Sequence, residues 1–289
     1  MKKKLLIIGA KGMLGRALAG VFADRKPICW DRNEIDITRE EGVKEKIAGL
    51  APEIIINAAA YTDVDACETN RESARAVNGY AVGYLAKAAK DLGAVFAHYS
   101  TDYVFDGKSP DGYREGDKPA RPVNYYGESK LLGEELIRSE KGLRHYLIRT
   151  SWLFGKQGKN FVQTMLENAK TNRTLSVVND QHGKPTYARD LAVATRTLIE
   201  APYESGTYHL VNEPVTTWYD FARAIFDAYA ATHPKFKKPD IIPCNSSAFP
   251  RPAKRPSYSL LRNTKFSPMR PWKEALEEHL KNIDENPLR

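Results

Sequence analysis

The chain begins with an apolar run that meets three evenly spaced glycines, "KLLIIGAKGMLG" (residues 4–15), and then continues as a helix-forming stretch. Few folds tolerate such a start. Leu5–Ile8, apolar without interruption, predicts a strand buried on both faces, the condition of a parallel sheet covered by helices. Gly9, Gly12 and Gly15 at the strand-to-helix turn let the backbone approach a pyrophosphate, whose charge then rests on the free N–H groups of the helix start. The spacing is G-x-x-G-x-x-G rather than G-x-G-x-x-G, and a purely structural turn is the competing reading.

The alternation continues through the first half. Strand-like runs at 27–30 (PICW), 53–60 (EIIINAAA), 94–100 (AVFAHYS) and 145–152 (HYLIRTSW) are separated by helical stretches at about 12–23, 39–50, 70–91 and from Tyr125 onward. This order predicts an α/β fold with a doubly wound parallel sheet of the Rossmann type. After about residue 155 the pattern loosens into helix 160–170, strand 174–178, helix 188–200, strand 206–211 and helix 217–230, followed by a proline-rich stretch. Residues 1–152 are therefore expected to form a dinucleotide-binding core, to which sheet elements near 187–212 return. The remainder, from about 153 to 289, is expected to form a smaller, interleaved substrate-binding lobe.

A chain of 289 residues with 42% hydrophobic content can bury one large core with an appended lobe. No apolar run approaches the ~20 residues that span a bilayer, and Leu5–Ile8 is too short for a signal-peptide core. Cys29, Cys67 and Cys244 are scattered and odd in number, which fits a reduced, cytoplasmic setting and no metal site. The net charge of +8 is concentrated between Lys235 and Lys273, where ten Lys/Arg face one acid, Asp240. That strip is broken by Pro239, Pro243, Pro250, Pro252, Pro256 and Pro268, and no nucleic-acid motif accompanies it. A small anionic ligand and a solvated surface are both compatible with it.

Site chemistry is suggested at the ends of the strands. Asp31, about 20 residues beyond the glycines, stands where an acid can bind an adenosine ribose, while Arg32 beside it suits a 2′-phosphate, so NAD and NADP both remain open. "NAAAYT" (57–62) carries small residues along which a flat cofactor can lie. Ser100 and Thr101 end the fourth strand, each able to polarise a carbonyl or to cap a turn. In "NYYGESK" (124–130) Tyr126 lies four residues before Lys130 and Tyr125 five, so only Tyr126 shares a helix face with the lysine. A nearby ammonium favours phenolate and is expected to lower the Tyr126 pKa, matching the phenol better to proton transfer.

With "GAKGMLG", "HYSTDYVFDG", "YYGESKLLGE", "NDQHGKPT" and "RPAKRPSYSLL" in this order, the chain resembles the extended short-chain dehydrogenase/reductases. Within them it is similar to the dTDP-4-dehydrorhamnose reductase branch, over nearly its whole length. The resemblance implies NADPH- or NADH-dependent reduction of a 4-keto nucleotide sugar. It places Gly12, Met13 and Leu14 on the pyrophosphate, Asp31 on the ribose, and Asp36 and Ile37 beside the adenine. Ala60, Tyr61, Thr62 and Tyr99 would lie along the rest of the cofactor. Tyr126 would be the proton donor, Lys130 the holder of the nicotinamide ribose, and Thr101 the group that tunes the acid and touches the substrate. Asp102 and Trp152 would contact the sugar. Arg251 and Arg255 would face its diphosphate, an inference resting more on charge than on motif. Some relatives dimerise through magnesium held by acids, but Arg189 stands where one such glutamate falls, so a monomer or weak homodimer is expected, with neither nucleic acid nor membrane as partner. A regulatory, non-catalytic relative, the β subunit of methionine adenosyltransferase, and other nucleotide-sugar reductases and epimerases share the scaffold. The "NDQHGKPT" and "RPAKRPS" stretches favour the reductase.

Overall fold

The computed structural model describes residues 3–284. In chain order its strands are β1 (Leu5–Ile8), β2 (Ile28–Trp30), β3 (Ile54–Asn57), β4 (Val95–Thr101), β5 (His145–Thr150) and β6 (Leu153–Phe154). They continue with β7 (Thr174–Val178), β8 (His182–Gly183), β9 (Thr186–Tyr187), β10 (Gly206–His209), β11 (Thr216–Thr217) and β12 (Asp240–Cys244). The helices of the first half are α1 (Met13–Val21), α2 (Glu40–Leu50), α3 (Ala66–Thr69), α4 (Arg71–Arg75), α5 (Ala81–Asp91) and α6 (Tyr125–Ser139). Those of the second are α7 (Phe161–Thr171), α8 (Ala188–Glu200), α9 (Trp218–Thr232) and α10 (Trp272–Asp284).

Strands β1 to β5 and β10 form one wholly parallel sheet in the order β10-β5-β4-β3-β1-β2. The strand order reverses between β1 and β3, and sheets of this kind open their ligand crevice there, beyond the strands' carboxyl ends. Helices α1 and α8 cover one face over Leu5, Ile7, Ile54 and Ile148. Helices α2 and α5, with Ile137 of α6, cover the other over Leu6, Ile8, Ile55 and Phe96. Two elements of the second half, α8 and β10, thus belong to the sheet layer. A separate apolar cluster around Phe154, Phe221, Phe226 and Trp272 joins α7, α9 and α10, with β7 and β12 paired in parallel beside it.

Several boundaries depart from the periodicity. β3 ends at Asn57, whose Oδ1 accepts the N–H of Ala59 (3.1 Å) and turns the alanine run into open chain along the crevice. β5 ends at Thr150, and Trp152 takes a left-handed backbone (φ 46°) that no strand continues. The expected helix over 70–91 is interrupted at Ala76–Tyr80, which widen into a π turn, a feature common at functional positions. Helix α10 and β12 carry regular structure into and past the proline-rich stretch, beyond the elements that periodicity indicates.

Candidate active site

Gly9 leaves β1 with φ 78°. A Cβ there would lie 2.6 Å from the Ala59 nitrogen, and one on Gly15 would lie 2.1 Å from the Gly9 oxygen, so packing of the turn requires both glycines. Gly12 has a different task. It is the exposed N-cap of α1, and no side chain caps the helix, which leaves the first-turn N–H groups for an anion. The crevice beside it is a cavity of about 710 Å³ lined by Gly9, Gly12, Asp31, Ile35, Asp36, Ile37, Ala60 and Tyr61 among others.

At its rim Asp31 accepts N–H bonds from Lys11 (3.0 Å) and Arg32 (2.8 Å). Burial pulls this carboxyl upward, but the two N–H bonds and the charges of Lys11 and Arg32 outweigh it and hold the group below its ordinary value. Each ionised oxygen retains acceptor capacity for a ribose hydroxyl. An uncapped helix start, backbone exposed by glycine and an ionised carboxylate one strand away fit a dinucleotide.

Not every expected contact is made by a side chain. Leu14 is buried in the core. Met13 lies along Gly155 and Gly158, so these two residues offer the crevice backbone only. The Tyr99 ring is also buried, its hydroxyl 2.7 Å from the Thr195 Oγ1 of α8. Thr62 is exposed and does not line the cavity. Asp36 accepts the N–H and hydroxyl of Thr38 through one oxygen (3.0 and 2.6 Å).

The other end of the site is built where α6 meets β4. Asn124 caps α6, its Oδ1 accepting from the Gly127 N–H (2.9 Å) and its Nδ2 donating to the Lys254 carbonyl (2.8 Å). A Cβ on Gly127 would come within 2.1 Å of the Tyr103 oxygen, so the helix start is pressed onto the turn after β4. The Tyr126 ring stands edge-on to Tyr103 (centroids 6.0 Å apart, 80°), with Thr101 beside its phenol. The Thr101 hydroxyl donates to Asp102 Oδ1 (2.7 Å). Tyr125 points elsewhere, with the Arg71 guanidinium 4.8 Å over its ring. Lys130, 2% exposed, donates to the Tyr99 carbonyl (2.6 Å) and lies 3.2 Å from His98 Nε2.

The electrostatics correct one expectation. Burial raises the Tyr126 phenol above its ordinary value, the Asp102 charge adds to this, and the nearby Thr101 hydroxyl opposes it. Lys130 does not depress the phenol, because its nitrogen is turned to Tyr99 and His98. Burial also lowers Lys130 itself to about 8, against the Glu134 carboxylate one turn away. Asp102 is pushed up by burial to about 6, although Thr101 donates to its Oδ1 and the Ser259 hydroxyl lies nearby. The protein's own groups therefore keep Tyr126 a protonated acid.

On the lobe side, Trp152 stacks on Trp218 (centroids 3.5 Å apart, 8°), and Gly183 makes room for it: a Cβ there would lie 2.2 Å from the indole. Arg255 is held in bidentate fashion by Asp65 (2.8 and 3.0 Å), with the more exposed Arg251 at 3.8 Å from the same carboxylate. The basic strip is partly neutralised by the fold in this way, as Arg270 also is by Asp190 and Glu278. Among the described residues, no three His, Cys, Asp or Glu side chains gather as a metal-ligand set.

Asn57, His98, Asn78, Trp218 and the Glu134–Arg149 pair were reached only through the structure. Asn78 sits in the π turn, buried, where its Oδ1 accepts the Tyr61 N–H (2.8 Å) and its Nδ2 donates to the Ser129 hydroxyl (3.0 Å). The cap at Asn124 and the Lys130/Glu134 spacing were visible signals; the others depend on sheet register.

The reversed parallel sheet, the uncapped glycine turn, the strand-end Thr101 and the Tyr126/Lys130 helix face define a short-chain dehydrogenase/reductase. Residues 3–285 match the sequence profile of the RmlD substrate binding domain, and the chain belongs to this family. It is 42% identical over 273 residues to the dTDP-4-dehydrorhamnose reductase of Burkholderia thailandensis, covering 90% of each chain. It is 39% identical over 283 residues to the spore coat polysaccharide biosynthesis protein SpsK of Bacillus subtilis, covering 96% of each. The crystal structure of dTDP-4-dehydrorhamnose reductase from Bacillus anthracis in complex with NADP superimposes with a TM-score of 0.90 at 37% identity, covering 98% of this chain and 100% of that one.

Proposed function

We propose that the chain reduces the C4 keto group of dTDP-4-dehydro-β-L-rhamnose to dTDP-L-rhamnose at the expense of NADPH or NADH, supplying rhamnose for surface polysaccharide. The observation that carries this is the Tyr126 phenol, kept protonated by burial beside Thr101 at the end of β4, on the same helix face as the buried Lys130. When bound, the reduced nicotinamide supplies the hydride. Gly9, Gly12 and the N–H groups of Met13 and Leu14 would hold the pyrophosphate, and Asp31 the adenosine ribose. Thr101 and Asp102 would orient the sugar, with Trp152, fixed by Trp218, against its ring. Tyr126 gives its O–H proton to the C4 oxygen as hydride reaches C4, so ketone plus hydride plus proton balances as alcohol. The phenolate left behind is reprotonated from solvent.

Arg251 and Arg255 suit the diphosphate, and their shared partner Asp65 lets them do so without burying a bare charge. Arg189 is paired with Glu278 (2.7 Å). A cation on the α8 face disfavours a metal-bridged contact, which supports a monomer or weak homodimer. Three free cysteines support a cytoplasmic setting.

The test supplies dTDP-4-dehydro-L-rhamnose with each reduced cofactor and follows cofactor absorbance. Replacing the acid (Tyr126→Phe) is expected to lower kcat by about 10²–10⁴-fold, while Tyr125→Phe stays near wild type. A folded protein that binds cofactor and turns over with neither refutes the activity. Equal losses in the two variants refute the assignment of the acid.

A further inference from the structure

Beneath Lys130 lie two buried side chains, Asn57 and His98, that the reduction chemistry leaves unexplained. Their hydrogen positions follow from one fixed point. The Ala59 N–H can only donate, and it meets Asn57 Oδ1 at 3.1 Å, so this carboxamide has its oxygen toward Ala59 and its NH₂ toward His98. Asn57 Nδ2 then donates to His98 Nδ1 at 3.1 Å, which makes Nδ1 the acceptor and places the ring proton on Nε2. Nε2 in turn faces Lys130 Nζ at 3.2 Å. An ammonium there would set N–H against N–H, whereas a neutral amine accepts the imidazole hydrogen and still donates to the Tyr99 carbonyl at 2.6 Å. Asn57 and His98 are fully buried, so no water relieves the conflict.

We propose that Asn57 and His98 are positioning residues that set the proton on Lys130: by presenting an N–H to its nitrogen they favour its neutral amine form in the ligand-free protein. The functional consequence rests on the reductase reading above, in which an ammonium at 130 balances the phenolate left on Tyr126. Other neighbours act in both directions. On β4, the Tyr99 carbonyl accepts from Lys130 in either protonation state. On α6, the Glu134 carboxylate favours the ammonium. It is itself offset by Arg149 of β5 and by Arg138. Tyr126 is neutral, and Asn78 and Ser129, near the π turn, are uncharged. Burial and the Lys130 charge disfavour a protonated His98, and the Asn57 backbone carbonyl is the neighbour that favours one. Lowering of Lys130 by burial acts in the same direction as the imidazole donor.

Three readouts test this. In the wild-type apoprotein, ¹⁵N NMR of labelled histidine is expected to show His98 as the Nε2–H tautomer. A proton on Nδ1 overturns the proposal, and no variant is needed. Asn57→Asp keeps the side-chain shape but accepts at both oxygens, so His98 should move its proton to Nδ1 and offer Nε2 to an ammonium. Lysine-selective ¹³C NMR is then expected to show Lys130 titrating about one to three pH units higher than in wild type; an unchanged titration overturns the proposal. Both measurements are independent of turnover and separate this inference from the reductase reading. In the active enzyme the alkaline limb of kcat/KM should move upward in Asn57→Asp. A purely structural role would lower the rate at all pH values and leave that limb in place.

Discussion

Removing the Glu134 carboxylate isolates a buried charge whose cost can be worked from its contacts. Arg149 has a side chain only 1% exposed and donates through Nε and Nη2 to the two Glu134 oxygens at 2.9 and 2.8 Å. Its remaining partners are His209 Nε2 at 3.2 Å and the Phe105 ring face at 4.8 Å. Burial lowers His209 to about 4, so that ring is neutral and cannot neutralise the cation. Arg138 also touches Glu134 (2.6 Å), but at 37% exposure it can turn to solvent at little cost. Glu134→Gln therefore strands one cation, Arg149, at about 3–5 kcal/mol. For a chain this long that corresponds to a melting-point drop of roughly 6–15 °C. Urea unfolding followed by circular dichroism measures it, with an unchanged m value showing that the native state is intact. Glu134→Gln combined with Arg149→Met removes both charges and should recover most of the loss. A single-variant cost below about 1 kcal/mol, or a double variant as unstable as the single, refutes the reasoning. The same substitution removes the group that favours the Lys130 ammonium, so Lys130 should titrate lower, the opposite direction from Asn57→Asp.

Three further expectations concern burial and packing. Asp102 is raised by burial to about 6, so its contribution favours the fold at low pH and is lost as pH rises through the interval from its unfolded value, about 4, to 6. Asp102→Asn should gain stability over wild type by on the order of 3 kcal/mol at pH 8, with the gap closing toward pH 4 in urea titrations; a gap independent of pH would contradict this. On α1, Gly15→Ala drives a Cβ into the Gly9 carbonyl and the Ala10 backbone, and should cost about 1–3 kcal/mol and weaken dinucleotide binding measured by calorimetry. Gly20→Ala on the same helix meets nothing within 4 Å and should raise the melting point through a propensity gain of about 1 kcal/mol.

The sheet was legible because its signal is local. Uninterrupted apolar strands such as Leu5–Ile8 and Ile54–Ile56 announce burial on both faces, and the 3.6-residue spacing of the intervening helices fixes which face they cover. The separation of Tyr125 from Tyr126 was legible for the same reason, since helix geometry alone turns one toward Arg71 and the other toward Thr101. What stayed hidden depends on contacts between distant segments. His98 meets Asn57 only because β3 and β4 pair in the register Asn57↔His98. Lys130 reaches that pair only because α6 is pressed onto β4. The partner that holds Arg255, Asp65, lies 190 residues away in sequence. The direction of the Tyr126 pKa was misjudged because spacing gives proximity to Lys130 but not where its nitrogen points.

Those hidden contacts share one physical cause. Burial is the largest influence on Tyr126, Asp102, His98 and Lys130 alike, and in each it favours the uncharged form. In such a site a preformed phenolate–ammonium pair would be costly, whereas a neutral phenol poised beside a hydroxyl is not. The Thr101 hydroxyl has one hydrogen and gives it to Asp102 Oδ1, so it does not donate to the Tyr126 phenol, which stays neutral beside it. On the proposed assignment, once Tyr126 has delivered its proton, the same hydroxyl serves the phenolate only by turning its hydrogen away from Asp102. A carboxyl held near pH 6 tolerates that loss better than one held near 4, because it can take up a proton in exchange. Deep burial of Asp102, which costs the fold stability at neutral pH, is thereby what frees Thr101 to follow the charge as it moves.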